Sequence, residues 1–245
     1  MQKRKVISRG VRYHVGIDEV GRGSLAGPVV VAAVALSNVS RFTFHDSRLG
    51  RLRDSKKLSA QQRERWFRRI KEYPNISYAI ARVYPRGIER MNISRAANLA
   101  VLRAYRRLVA NCKGQMAKAR ILLDGGLYLG NIRRTTRIPH LSEKVRDGLT
   151  RKNISVNLRT HQYISASTIT RGDEKFTAVK LASIAAKVVR DRYMTRLAKR
   201  HPQYGFEVHK GYGTKMHFAA IRAHGPSKEH RLTFIGFLKN FKSRT

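Results

Sequence analysis

The sequence predicts an α/β protein: a mixed β-sheet flanked by helices, with a helical C-terminal extension. Strand-like and helix-like segments alternate through residues 11–124, the pattern of a sheet covered by helices. Residues 28–36 (PVVVAAVAL) are apolar at every position, as a strand buried on both faces must be. With 245 residues and 42% hydrophobic content the chain can bury a sizeable core, and no linker or internal repeat marks a second one. The expected organisation is a single domain.

Residues 1–10 read as a basic tail. Residues 11–19 form the first strand and 28–36 the second, joined by a Gly-rich turn. Ser59 and Gln62 make a capping-box pattern that starts a basic amphipathic helix running to about residue 71, and Pro74 ends it. A third strand spans 76–83, closed by Pro85. Apolar residues at helical spacing (Ile93, Ala97, Ala100, Val101, Tyr105, Leu108) make 88–109 one long helix or two short ones. RILLD, residues 120–124, is a fourth strand that runs into Gly125-Gly126. The stretch 127–162 is basic and lacks a clean period; it holds a basic insertion at about 130–160, with a short helix around 141–149. Residues 163–170 read as an edge strand. A strong helix covers 174–199, where Ala182, Ser183, Ala185 and Ala186 are small enough to let it lie close on a sheet. His201-Pro202 stops it. In the extension of about 200–245, a helix over 214–224 ends at Gly225-Pro226.

Lys and Arg number 52 against 15 Asp and Glu, a formal net charge of +37. A surplus of that size concerns partners rather than fold, and points to a polyanion, nucleic acid first. The single cysteine, Cys112, excludes an internal disulfide and a cysteine-based zinc site, and reads as a small core residue. The N-terminal segment has no apolar signal-peptide core, and the run 29–36 is too short to cross a bilayer. The expectation is a cytoplasmic protein with no membrane partner. His201, His209, His217 and His224 are spaced in a way that suits no compact zinc site, and read as phosphate contacts or plain surface. Lys187 and Asp191, four apart, form a structural pair on one helix face.

Among so few acids, four stand at element ends. Asp18 and Glu19 close the first strand, Asp124 closes the fourth, and Asp173 sits where a helix begins. Alternation along a straight strand points Asp18 and Glu19 to opposite faces, while the Gly21-Arg22-Gly23 turn lets the chain bend and bring both to a sheet edge. Termini gathered on one edge are where such sheets build sites. Hard oxygen ligands suit Mg²⁺ or Mn²⁺, and a pair of such ions can drive phosphodiester hydrolysis. Each acid also has a plainer reading: a solvated strand end for Asp18 and Glu19, a helix N-terminal acid for Asp173. Tyr212 reads, from its own surroundings, as a packed turn aromatic.

Five blocks, in order, resemble those of the type 2 ribonuclease H family, its bacterial ribonuclease HII members in particular: GIDEVGRGSLAGPVV (16–30), DSKKLS (54–59), LLDGG (122–126), RGDEKF with LASIAAKVVRDRYM (171–194), and YGFEVHKGYGTKMH with HGPSKEHR (204–231). The resemblance implies a ribonuclease-H-like core and an endonuclease cleaving RNA in RNA–DNA hybrids and 5′ to ribonucleotides embedded in duplex DNA. It implies two metal ions, Mg²⁺ or Mn²⁺, held by Asp18, Glu19, Asp124 and Asp173. It further implies that Gly21, Arg22 and Gly23 read the ribose 2′-hydroxyl, that Tyr212 stacks on the junction sugar, and that Lys56 and Lys57 contact phosphates. The chain is expected to act as a monomer. It departs from the family pattern at Ser24, where proline is common, and in a longer spacing between Asp124 and Asp173. A nuclease for branched DNA and a non-catalytic nucleic-acid binder are the other readings open at this stage.

Overall fold

The computed structural model describes residues 12–37, 45–46, 50–112, 116, 118–129, 152–157, 162–169, 171–172 and 176–237, with the backbone alone at 12, 45–46, 50–51, 118, 152–157, 162–165 and 169. Its strands are β1 (Arg12–Val20), β2 (Val29–Ser37), a two-residue ribbon β3 (His45–Asp46) and β4 (Gly50–Arg51), β5 (Ile76–Val83), β6 (Lys118–Asp124), β7 (Lys152–Asn157) and β8 (Gln162–Ile169). The helices are α1 (Ala60–Glu72), α2 (Pro85–Met91), α3 (Ile93–Asn111), α4 (Thr177–Arg200), α5 (Phe206–His209), α6 (Lys215–His224) and α7 (Leu232–Ile235).

The main sheet has six strands in the order β5-β2-β1-β6-β8-β7. β1, β6 and β8 run parallel; β2 is antiparallel to β1 and β5, and β7 is antiparallel to β8. The mixed sheet read from the sequence is present. β2 is buried along its length because both of its faces are covered, which is why its sequence shows no alternation. One face packs Val15, Ile17, Val31 and Ala33 against α3; the other packs Ala32, Val34 and Leu36 against α1 and α4. On the outer edge of the sheet, Arg107 and Asn111 of α3 donate to the carbonyls of Ile80 and Tyr78 on β5, which blunts that edge.

Ser59 caps α1 with the reciprocal Gln62 bond that its sequence predicts. The 88–109 segment is two helices: Asn92, with φ 66°, breaks it and caps α3 by accepting from the Arg95 amide. Pro85 does not merely close a strand; it occupies the first turn of α2, where its missing N–H costs nothing. Two expectations are corrected. The 163–170 segment is not an edge strand, since β8 pairs on both sides and β7 is the edge. The 127–162 stretch contributes that strand, β7, which its polar sequence (KNISVN) conceals. The helix expected at 141–149, the tail 1–10 and residues 174–175 lie outside the described residues, and the long helix expected from 174 begins at Thr177, with Phe176 in extended conformation as its N-cap.

The position of α4 decides where the site forms. At Gly16, in the middle of β1, a Cβ atom would lie 2.1 Å from the carbonyl carbon of Ala178 and 2.2 Å from the amide of Val179. The first turn of α4 therefore rests on bare backbone, and its small residues Ala182, Ser183, Ala185 and Ala186 follow it down onto the sheet. Gly16→Ala should cost about 3 kcal/mol or more, since neither backbone can yield. Urea unfolding of the two proteins measures this; a loss below about 1 kcal/mol would mean that α4 does not dock there.

Candidate active site

β1 and β6 are parallel neighbours in the register Ile17↔Leu123, so Asp18 and Asp124 follow at the same end of adjacent strands. Ile17 and Leu123 face the α3 side. Alternation then turns Asp18 and Asp124 toward α4, and Glu19 toward α3. Asp18 is buried and accepts the Glu19 amide at 2.7 Å. Its carboxyl is held well above the usual range, first by burial, then by Glu19 and, more weakly, Asp124; a hydrogen bond from Ser183 opposes this. Glu19 is raised mainly by burial, with Asp124 adding to it and Arg22 opposing. Arg22 donates to Glu19 Oε1 and to the Ser94 hydroxyl, each at 3.2 Å, which fixes its guanidinium against the first turn of α3. Asp124 accepts the Gly172 amide at 2.6 Å, just ahead of α4.

Three of the four acids expected from the sequence are thus brought within electrostatic reach of one another. Asp173 lies outside the described residues. Among the described residues no three His, Cys, Asp or Glu side chains stand together as a ready metal cluster, because Glu19 is turned to Arg22 and Asp124 to an amide. The donor set is nonetheless all carboxylate, and the burial and, after it, the mutual repulsion that raise Asp18 and Glu19 are what a divalent cation would offset, so the residues fit Mg²⁺ or Mn²⁺.

The turn beside the acids is shaped by two arginines. Arg231 donates to the carbonyls of Gly21 (2.7 Å), Arg22 (2.9 Å) and Gly27 (2.9 and 3.1 Å). Arg190 donates to the carbonyls of Ala26, Pro28 and Lys210 at 2.8–3.1 Å. Both are fully buried. Burial, with Arg190 close by, pushes Arg231 down to about 9, still high enough to keep it cationic at neutral pH. Gly21, at φ 87°, has no room for a side chain, since a Cβ would sit 2.1 Å from Arg190 Nε. Gly23 is exposed and open, so within Gly21-Arg22-Gly23 it is the residue a ligand can approach closely.

Tyr212 lies in a loop packed on this turn. The Leu25 and Ala26 amides both donate to the Gly211 carbonyl, and the Tyr212 ring, partly exposed, lies over the Arg190 guanidinium at 5.4 Å. Beneath the loop the expectation of surface histidines fails for two of the four: His209 and His217 are buried, and His230 joins them, while His201 is half-buried and His224 exposed. Their protons have one consistent order. The Ser227 amide donates to His230 Nδ1, His230 Nε2–H donates to His217 Nε2, and His217 Nδ1–H donates to the Tyr212 carbonyl. These imidazoles are structural supports for Tyr212 and do not face phosphate.

Lys56 and Lys57 are exposed on a 3₁₀ turn, Ser55–Lys57, that Asp54 caps by accepting the Lys56 amide at 2.9 Å. The predicted pair Lys187–Asp191 is present at 2.8 Å, and Arg63 adds a second cation at 3.7 Å. Cys112 is buried at the C-terminal end of α3, as a core residue. Among the described residues no helix is long and apolar enough to cross a membrane.

A family model described as Ribonuclease HII matches residues 15–236. The chain belongs to the ribonuclease HII family. It is therefore a ribonuclease. A ribonuclease HII from Nitratidesulfovibrio vulgaris is 41% identical over 225 residues, covering 92% of this chain and 87% of the relative. One from Bacillus cereus is 39% identical over 226 residues, 92% of this chain and 70% of the relative. Among solved structures, the ribonuclease HII in a PCNA complex from Archaeoglobus fulgidus aligns with a TM-score of 0.58 at 23% identity, over 95% of this chain and 96% of that one. A Bst-RNase HIII bound to Mn²⁺ aligns at 0.63 and 20% identity, over 95% of this chain and 70% of that one. These similarities place the sheet and its helices in the ribonuclease-H-like fold, with a helical C-terminal region.

Within this ribonuclease HII chain, Ser24 is completely buried and its hydroxyl has no hydrogen-bond partner among the described residues, a loss of about 1–3 kcal/mol relative to a satisfied group. Sequence reasoning missed Arg190, Arg231, His230 and Ser183. Arg231 and His230 lie in the recognised block HGPSKEHR but carry no local signal of burial: Arg231 is bonded to carbonyls more than 200 residues earlier, and His230, besides its local bond from Ser227, meets His217 thirteen residues away.

Two predictions follow from the electrostatics. Because His217 and His230 are lowered to about 4, chiefly by burial, the stability they contribute is complete above the ordinary value near 6.5. It is lost as pH falls from there toward 4. NMR titration should find both imidazoles neutral until about pH 4; protonation of either near 6.5 would contradict the buried chain. Conversely, Asp18→Asn should raise the thermal midpoint of the metal-free protein by a few degrees, by removing a buried charge beside Glu19, while abolishing activity. A lower midpoint would show that Asp18 is not repelled in the folded state.

Proposed function

We propose that this chain is a metal-dependent endonuclease that hydrolyses the RNA of RNA–DNA hybrids and cuts 5′ to ribonucleotides embedded in duplex DNA. The observation that carries the reading is the meeting of Asp18, Glu19 and Asp124 at the ends of neighbouring strands, in a chain of net charge +37. The names of its relatives support it, as does the Mn²⁺ found with a structural neighbour.

In this reading Asp18, Glu19, Asp124 and Asp173 would hold two ions, Mg²⁺ or Mn²⁺. When bound, the ions supply an activated water and neutralise charge on the leaving oxygen. The protein's own groups do the rest. Gly23 offers open backbone to the ribose, where a 2′-hydroxyl distinguishes RNA from DNA. Arg22 stands between Glu19 and Ser94 at the edge of that turn. Tyr212, propped on Arg190, stacks on the sugar at the junction, and Lys56 and Lys57 take up phosphates. Hydrolysis breaks the P–O3′ bond and leaves a 3′-hydroxyl and a 5′-phosphate. The protein acts as a single-domain monomer in the cytoplasm.

A duplex carrying one ribonucleotide should be cut with Mg²⁺ or Mn²⁺, and an all-DNA duplex should not. Asp124→Asn should lower turnover on the order of 10²-fold or more. Affinity for the duplex should fall steeply with salt, with a log–log slope of about −0.9 per phosphate contacted. Equal cleavage of the all-DNA control, or a preference for branched DNA, would overturn the substrate assignment. Binding without turnover would overturn the enzyme.

A further inference from the structure

We propose that Tyr128 is a further nucleic-acid contact, a ring platform for a sugar of the bound duplex on the α3 side of the acids. The inference deepens the nuclease reading above and rests on it.

Beyond the Gly-rich turn, the substrate contacts of that reading all lie on the α4 side. Tyr212 is propped on Arg190 of α4, and the turn bearing Lys56 and Lys57 is joined to α4 through the Ser55 and Ser183 hydroxyls, 2.8 Å apart. A duplex lying over the ends of β1 and β6 has a second flank, over α3. That flank is basic: α3 carries Arg95, Arg103, Arg106 and Arg107 and no acid. Arg107 is turned to the Ile80 carbonyl at the far edge, while the other three are exposed.

Tyr128 stands on this flank, close to the acids. The Leu127 amide donates to the Asp124 carbonyl at 3.4 Å, closing a turn with Gly125 at φ 57°. Such a turn holds its end Cα atoms within about 7 Å, so the Tyr128 Cα lies no more than about 11 Å from that of Asp124. The same turn adjoins Arg22, since a Cβ on Gly126 would lie 3.6 Å from Arg22 Nη1. Arg22 donates to Ser94, and the Tyr128 amide donates to Asn98 Oδ1 at 3.0 Å. Ser94 and Asn98 are neighbours on one face of α3, about 6 Å apart along its axis. Tyr128 therefore follows Arg22 along the helix by about two base steps of a duplex.

The backbone under the ring is held from both sides. Buried Asn98 fixes the amide, and Thr168 of β8 donates to the Leu127 carbonyl at 3.0 Å. Leu127 and Leu129 are buried in the core shared with α3, which leaves Tyr128 between them facing outward, 46% exposed. Of the three exposed tyrosines described, Tyr84 leans on Tyr193 and Tyr212 on Arg190, whereas the Tyr128 ring has no such partner among the described residues. A ring on a locked backbone has little freedom left to lose when a ligand covers it. The bases of a duplex are paired, so a ring beside the strand meets the apolar face of a sugar, with its hydroxyl placed to donate to the adjoining phosphate.

A tyrosine that only shields the Leu127–Leu129 core would give the same structure with no effect on substrate. Steady-state cleavage of a hybrid duplex with Mn²⁺, and fluorescence anisotropy of the same duplex without metal, separate the two. Tyr128→Ala should raise KM and weaken binding by about 5-fold or more, the lower end of what an aromatic contact to nucleic acid is worth, with kcat and the thermal midpoint little changed. Tyr128→Phe keeps the ring and should lose much less. The contact is uncharged, so the salt dependence of binding should keep its slope in Tyr128→Ala. Shortening the duplex from one end at a time should abolish the Tyr128→Ala penalty for one end only. If Tyr128→Ala lowers the midpoint, Tyr128→Gln, of similar reach without the ring, carries the test. Unchanged KM and affinity in the ring-less variants, with the unsubstituted protein cutting normally, would overturn the contact and leave the nuclease reading intact. A fall in kcat at constant KM would overturn it as well, by making Tyr128 a support of the acids. If the unsubstituted protein neither binds nor cuts the hybrid, the nuclease reading falls and this inference falls with it.

Discussion

Arg231 and Arg190 bury their guanidinium groups in peptide carbonyls, and the geometry beside the acids depends on that arrangement. Among the described residues neither makes an ion pair; their donors end on the carbonyls of Gly21, Arg22, Ala26, Gly27, Pro28 and Lys210. Hydrogen bonds to a charged donor are worth about 1.5–3 kcal/mol each, and a guanidinium is weakly hydrated for its charge, so it is the cation best suited to such burial. A lysine could not span the same set of acceptors. The Gly-rich turn keeps its shape because cations inside the protein hold it, not because glycine prefers that conformation.

The same few ångströms contain the opposite problem. Burial raises Asp18 and Glu19, and repulsion among Asp18, Glu19 and Asp124 across two strands adds to it. Arg22 and the Gly172 amide each relieve one acid. Fixed positive groups therefore hold the backbone, while the acids facing the substrate side are left short of positive charge. In the proposed function, a polyanion drawn by the remaining surplus on the surface would meet carboxylates at the reacting centre, and a divalent cation would reconcile the two.

Much of this was legible in the sequence, for reasons tied to range. The Ser59–Gln62 box, the apolar run of β2 and the break at His201-Pro202 are local, and local chemistry decides them. The three described acids are legible because each ends an element, and the order of the blocks supplied their roles. β7 was not legible: a polar strand at a sheet edge carries no apolar period, and its pairing with β8 is a tertiary fact. The histidines were misread for a related cause. Spacing tests whether ligands share one helix, whereas His217 and His230 meet from separate elements and bond to each other. Ser183 was read only as small, since nothing in KLASIAAK says that one member of a close-packed stripe will meet the hydroxyl of Ser55 from a distant turn.

Arg231 acts on carbonyls that precede it by 209 and 210 positions. A chain leaves the ribosome from its N-terminus, so β1 and β2 are available for pairing long before the residue that fastens their connecting turn has been made. The hairpin and its carboxylates are synthesised early in translation; the residue that fastens the turn between its strands is added more than 200 residues later. A nascent polypeptide therefore carries that turn unfastened until Arg231 has emerged.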